Sequence, residues 1–305
     1  MLTHNYTYKA CLNTSSRVYW DLNELFEGES FDFTKRWLPE EWANVDGISC
    51  LTGDEKLKLN QILGYSYYYY FDFAEEFITA QIIEQVRNHR FGDETKLRAM
   101  LRFAEEEVKH QAMFQRARAM MLEGFGSPIE SVPGKEEVAR VVLQKSPLAV
   151  MLLVTMLEWV SQTHYLSGVR ENSQNLDSFF CKILKAHWIE EAQHTKLDSL
   201  EMDSMAEALS LADREKAVDE LIELGGAFDS VFGSQADLDV DNLSAAVGRN
   251  FSDLEKEEIR ISVHRSYRKC FLVAALEHPQ FVEIIGEMTN EGVEKIAETA
   301  TALLA

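Results

Sequence analysis

The chain has 305 residues, 46% of them hydrophobic, and its 30 Lys and Arg stand against 51 Asp and Glu for a formal net charge of −21. That balance repels phosphate backbones and anionic lipid surfaces, which argues against nucleic acid and membranes as partners, while the apolar content can fill a sizeable core. Cys11, Cys50, Cys181 and Cys270 lie far apart and form no Cys-x-x-Cys pair, which argues against a zinc knuckle or a dense disulfide framework and suits a reducing cytoplasm.

Residues 1–50 carry aromatic and turn residues without a sustained period and read as an irregular arm with short helices. Its opening, MLTHNYTYKACLNTSS, has no basic stretch leading into an apolar one, so no secretory signal is expected. A helix starts at TGDE, with Thr52 as N-cap and Glu55 completing a capping box, and is predicted to run to about Asn88. Gly92 and Asp93 open a second, periodic to Leu122, before EGFGSP ends it. Ser146 and Pro147 start a third. Its apolar run from Leu148 to Leu157 is too short to cross a bilayer and meets Glu158 at once.

A fourth helix is predicted from about Asn175 to about Leu209. Ser210 and Ser252 cap two more, separated by a loop at GSQADLDVDN, and a last helix follows EHPQ. Alternating β-branched runs, internal repeats and low-complexity tracts are missing. The expectation is an all-α chain built as a single helical domain over 1–305: an arm (1–50), a four-helix bundle core (51–210) and additional C-terminal helices (211–305).

The fourth helix contains HWIEEAQH, in which His187, Glu191 and His194 follow steps of four and three and so fall within an arc of about 60°. Their neighbours Trp188, Ile189, Ala192 and Leu197 are not those of a fully wet face. The second helix repeats the pattern in FAEEEVKHQAMF with Glu107 and His110, the first carries Glu75 and Glu76 in FDFAEEFITAQII, and the third carries Glu158 in VTMLEWVSQTHY. Ionised carboxylates gathered in a dry core need cations, and Lys and Arg do not appear on these stripes in matching number. Two divalent metals would balance four carboxylates and take the imidazoles as neutral ligands. One Glu from each of two helices and Glu-x-x-His from each of two others is the dinuclear constellation of ferritin-like bundles.

FAEEEVKHQAMFQR and HWIEEAQHTKL resemble the metal-binding helices of the di-iron p-aminobenzoate N-oxygenase family, and EFITAQII resembles its first ligand helix. The resemblance covers about residues 50–210 and is most specific at His187, since that family adds a third histidine one turn before its last Glu-x-x-His. It implies Glu76, Glu107, His110, Glu158, His187, Glu191 and His194 as ligands of two iron ions. Periodicity leaves Glu75 and Glu76 nearly equal; the match to FITAQII favours Glu76. Glu75, Glu105, Glu106 and Glu190 are then expected to face solvent or to touch the ligands from outside. The run Tyr65 to Phe73 offers either a redox-active tyrosine near the metals or, as is usual for an aromatic stripe on a helix, packing, and packing is the expectation; His164 and His264 are expected to be structural.

The implied activity is a di-iron oxygenase that uses O2 to oxidise a small organic substrate, with the nitrogen of an aryl amine as the leading target. It implies an electron donor of unknown identity and a homodimer. A manganese–iron oxidase and a C-hydroxylating enzyme share the same residues. A ferroxidase or iron-storage protein would also hold iron, although three histidines make a stronger shell than transient iron needs. A metal-free helical interaction protein would leave the inward carboxylates unexplained.

Overall fold

The computed structural model describes residues 6–305, so the first five residues of the predicted arm lie outside the described residues. The arm carries α1 (Tyr8–Val18), α2 (Leu22–Phe26) and α3 (Glu40–Ala43). The bundle follows as α4 (Gly53–His89), α5 (Glu94–Phe125), α6 (Lys135–Leu143), α7 (Pro147–Thr163), α8 (Arg170–Asn172) and α9 (Ser178–Glu207). The C-terminal part is α10 (Leu211–Val247), α11 (Asp253–Tyr267), α12 (Ala274–Leu276), α13 (Pro279–Met288) and α14 (Asn290–Leu304). A π-helical turn at His164–Val169 joins α7 to α8, and another at Arg268–Val273 joins α11 to α12. Among the described residues there is no strand, and no helix is long and apolar enough to cross a membrane.

Local chemistry sets the helix starts. Thr52 accepts from the Glu55 amide at 3.3 Å while the Glu55 carboxylate accepts from the Thr52 amide at 2.8 Å, satisfying two otherwise orphaned donors. Asp93 caps α5, Ser146 caps α7 with Pro147 in its first turn, and Ser210 and Ser252 cap α10 and α11. Gly126, at φ +88°, takes the left-handed conformation that ends α5.

The short link at 90–93 lays α4 against α5, and α7 lies against α9. Contacts of α5 with α9 and of α4 with α7 close the four into a bundle. Phe77, Phe103, Phe114, Phe179 and Phe180 are fully buried within it. α1 packs across α5 and α9, and α10 covers α4 and α7. The C-terminal helices thus continue the core of the bundle.

Two expectations change. GSQADLDVDN is no loop: α10 runs through it unbroken, with Gln235, Asp239 and Asn242 buried on one side and Ser234, Asp237 and Asp241 exposed on the other. Gln235 Oε1 accepts from the Val132 amide at 2.9 Å, and Asn242 both accepts from the Glu130 amide at 2.8 Å and donates to the Glu130 carbonyl at 2.9 Å. The end of the chain forms two helices, parted at Thr289, whose extended backbone (φ −163°) and hydroxyl start α14. The arm has short helices between irregular stretches, and α4 ties it down. Buried Asn60 on α4 accepts from the amides of Trp37 (2.8 Å) and Leu38 (3.1 Å) and donates to the Leu38 carbonyl (2.8 Å).

Replacing Asn60 by Leu strands two buried amides and a carbonyl. Urea unfolding of Asn60→Leu should show a loss of at least about 2 kcal/mol, each unsatisfied buried group costing about 1–3 kcal/mol. An unchanged midpoint would show that the arm is not held by these bonds.

Candidate metal centre

The stripes predicted on α5 and α9 meet face to face, and α4 and α7 close the space between them. Glu107, His110, Glu158, His187, Glu191 and His194 are all buried and turned toward one region. On α4 the residue brought there is Glu75, not Glu76. Glu75 is 2% exposed and lies 3.0 Å from His187 Nε2. The Glu76 side chain is one-third exposed and pairs with Lys135 at 3.2 Å, away from the cluster. One residue is a turn of about 100°, enough to move a side chain from the inner stripe to the flank. The signal was present in the sequence: Phe71, Ile78 and Ile82 lie at steps of −4, +3 and +7 from Glu75, and all three are buried.

Two overlapping donor sets result. Glu75, His110, His187 and Glu191 each offer an atom within 4.8 Å of the others, and so do Glu107, His110, Glu191 and His194. Glu191 Oε1 lies 2.9 Å from His187 Nε2 and 3.0 Å from His110 Nδ1; His194 Nδ1 lies 2.8 Å from Glu107 Oε1 and 3.2 Å from Glu191 Oε2. Glu158 Oε2 stands 4.0 Å from His194 Nδ1.

The outer nitrogens of two of these histidines are already taken. His110 Nε2 meets Glu190 Oε2 at 2.9 Å, and His194 Nε2 meets Glu106 Oε2 at 3.1 Å. Each Glu-Glu-x-x-His run therefore uses its second Glu in the cluster and its first to hold the histidine of the opposite run. A histidine that gives its outer N–H to a carboxylate presents a bare, more basic nitrogen inward, which is how proteins orient imidazole toward a metal. Both carboxylates are anchored in turn: Glu190 accepts from Lys109 Nζ at 2.6 Å, and Glu106 from Ser15 Oγ at 2.5 Å and Arg102 Nε at 3.0 Å. Glu105 is exposed and pairs with Arg102.

The donor atoms fit metal better than they fit one another. Glu75 Oε2, both oxygens of Glu107, Glu158 Oε2, Glu191 Oε1 and His110 Nδ1 are buried without a hydrogen-bond partner, although several lie about 3 Å from a neighbouring donor atom. Near in distance but not aligned for hydrogen bonding, they converge on shared space. Four carboxylates and three imidazoles are the hard and intermediate donors suited to iron or manganese.

Electrostatics without metal point the same way. Burial, then the charges of Glu107 and Glu191, pushes the Glu75 carboxyl well above its usual range. Burial and Glu191 do the same to Glu158, and Glu107 is also raised. Burial pulls His110 down, but the hydrogen bond it gives to Glu190 and the nearby charges of Glu191 and Glu107 outweigh it and hold the imidazole at about 9. Burial pushes Glu106 up, yet His194, Ser15 and Arg102 bring it to about 2. Without metal, protons sit on Glu75, Glu158 and His110 in the inner cluster, while Glu106 outside it stays ionised.

The remaining singled-out histidines lie elsewhere. His264 bonds Asp229 at 2.8 Å, and His164 is buried between Tyr67 and the Cys270 carbonyl. Sequence reasoning left the roles of Glu106 and Glu190 open; the doubled Glu before each x-x-His was the signal that could have assigned them.

No family model matches the chain, and no curated protein matches it. Among solved structures, a variant of R2-like ligand-binding oxidase with anaerobically reconstituted Mn/Fe cofactor is 15% identical, over 90% of this chain and 94% of that one, with a TM-score of 0.47. A variant with aerobically reconstituted Fe/Fe cofactor is 14% identical over 88% and 94%, at a TM-score of 0.47. The same oxidase after photoconversion is 12% identical over 88% and 94%, at 0.45.

Two outcomes test the cluster. Glu75→Ala should abolish binding of a second ferrous ion while Glu76→Ala keeps full stoichiometry, measured by anaerobic titration; the reverse would restore Glu76 to the site. Because metal displaces protons from Glu75, Glu158, His110 and His194, apparent affinity should rise as pH goes from neutral toward about 9, with proton release detected by an indicator dye. Affinity independent of pH would count against metal binding at these groups.

Proposed function

We propose that the chain is a di-metal oxidase that binds two iron ions between α4, α5, α7 and α9 and uses O2 to oxidise a small organic substrate, with N-oxygenation of an uncharged aryl amine as the leading reaction. The reciprocal clamp, in which Glu106 holds His194 and Glu190 holds His110, carries this reading, since it turns the inner nitrogens of two histidines toward the shared carboxylate cluster.

Bound iron would supply activation of dioxygen, chemistry that no side chain provides. The chain's own residues prepare the place. Glu75, His110, His187 and Glu191 would hold one ion, and Glu107, Glu191 and His194, with Glu158 beside them, the other. Phe103 stacks on His194 with ring centres 3.9 Å apart, and Phe71 and Phe114 set their edges or faces against His187 at 5.3 and 5.0 Å, so the imidazoles are fixed and water is kept away. Burial and the neighbouring charge of Glu191 raise the Glu158 carboxyl, which can keep a proton beside the cluster.

The space next to the cluster supports the substrate class. A cavity of about 10 Å³ touches Glu75, Glu107, Glu158 and Glu191 and shares Ala74 and Leu157 with a second of about 30 Å³, walled by Phe77, Phe228, Phe232 and Phe271. Neither wall carries a cation. A benzoate would bring an unpaired anion into this apolar space, whereas a neutral ring would not. Spaces this small admit a ring only as Leu157 and the phenylalanines change rotamer.

Stopped-flow absorption tests the proposal. Protein loaded anaerobically with ferrous iron and mixed with O2 should give a visible intermediate at about two irons per chain, in line with the dinuclear donor set. It should persist without substrate and decay faster with aniline-type amines than with aminobenzoates. Direct passage to ferric product whatever organic compound is added, with excess iron consumed, would mark an iron-handling protein.

A further inference from the structure

A second site lies where the arm meets the C-terminal helices. A cavity of about 600 Å³, of the size that takes small organic ligands, opens between α3, α11 and both π-helical turns. Its lining includes buried Trp42, His164 and Cys270, and exposed Arg265 and Lys269 one helical turn apart. π turns are rare and concentrate at functional sites, and both of those in the described residues border this space. Gly168, in the first of them, lets the Trp42 indole lie against the helix, where a Cβ would overlap the ring.

Inside the cavity wall is a buried pair the metal chemistry above does not use. His164 Nε2 lies 3.0 Å from the Cys270 carbonyl, which can only accept, so Nε2 carries the proton and Nδ1 is bare. Nδ1 therefore accepts from the Tyr67 hydroxyl, at 2.7 Å. Burial holds the imidazole at about 4, which keeps it neutral and free to take a proton. Ring contacts run from here in both directions. The Trp42 indole is parallel to the Tyr67 ring within 3°, with centres 5.9 Å apart, Tyr67 meets Phe71 at 4.8 Å, and Phe71 meets His187 at 5.3 Å. An unbroken line of rings joins the cavity to the metal cluster.

We propose that Tyr67 and His164 are a coupled electron and proton relay between this cavity and the metal cluster, and that the cavity receives a small anionic enediol as reductant. Arg265 and Lys269 would attract the anion, while Glu41 and Glu277, also in the lining, would accept from its hydroxyls. The proposal rests on the di-metal reading, since the oxidant is the one formed from O2 at the cluster. One electron leaves Tyr67 for that oxidant, the phenolic O–H bond breaks, and its proton passes to His164 Nδ1. The enediol then returns one electron through Trp42 and releases a hydroxyl proton to Glu41 or Glu277, and the proton on His164 goes back to the Tyr67 oxygen. The oxidant has gained one electron, the enediol has lost one, and both residues are restored.

The test uses the full chain and three readouts. In metal-free protein, 15N NMR should find His164 protonated at Nε2 and hydrogen-bonded at Nδ1, with the Nδ1 signal shifted in Tyr67→Phe; protonation at Nδ1 overturns the relay. Freeze-quench EPR of ferrous protein mixed with O2 without substrate should show a tyrosyl radical that is absent in Tyr67→Phe. That variant keeps the buried ring, and its iron content checks its fold. Ascorbate should speed the radical's decay by at least about tenfold, a barrier change of about 1.4 kcal/mol, and Arg265→Glu with Lys269→Glu should raise the ascorbate concentration required. Ferric product at two irons per chain with no tyrosyl signal, the same signal in Tyr67→Phe, or decay indifferent to ascorbate overturns the relay alone. Iron that does not bind or does not consume O2 overturns the di-metal reading and the relay with it.

Discussion

Four carboxylates cannot share a dry interior unless something offsets both their mutual repulsion and their lost hydration, and that requirement organises this molecule. Glu75, Glu107, Glu158 and Glu191 come from four different helices and are each 2% exposed or less. Without metal, protons and two cationic imidazoles keep them compatible, as the upward shifts of Glu75 and Glu158 and the raised His110 show. The bundle therefore places its most unfavourable groups deep in its interior, beside a small cavity. Fully buried Phe77, Phe103 and Phe114 around them contribute roughly 1.5–3 kcal/mol each against that cost.

The clamp solves a second problem, that of orientation. An imidazole has two nitrogens and can be protonated on either, so a histidine aimed at a metal must have its proton fixed on the far side. Glu106 and Glu190 do this across the interface between α5 and α9, each serving the other helix. The arrangement is reciprocal: α5 cannot shift along α9 without disturbing both pairs. Register between the two helices and the proton positions of two histidines are thus one constraint.

The helices, their caps and the inward stripes of α5, α7 and α9 were legible because they depend on local spacing: Thr52 with Glu55, Pro147 after Ser146, and steps of three and four between Glu and His. What the sequence hid was set by distant partners. GSQADLDVDN reads as a loop by composition, yet Gln235 and Asn242 are buried and spend their amides on Glu130 and Val132, more than a hundred residues earlier. Asn60 gives no sign that it holds the arm. Glu75 shares the buried stripe of Phe71, Ile78 and Ile82, whereas the match to FITAQII points one residue further on, to Glu76. Tyr67 looks like one of several packing tyrosines until His164, almost a hundred residues on, is seen against it.

The Ser15 hydroxyl on α1 changes what counts as the smallest working unit. It binds Glu106, which holds His194, so a chain segment outside the bundle contributes to the alignment of a histidine within it. Asp177 makes a similar tie, capping α9 at Phe180 while accepting from the Asp32 amide. The four helices are therefore not a module that could be cut free or grafted onto another scaffold with the site intact. A chain without α1 would leave Glu106 with Arg102 and His194 as its side-chain partners.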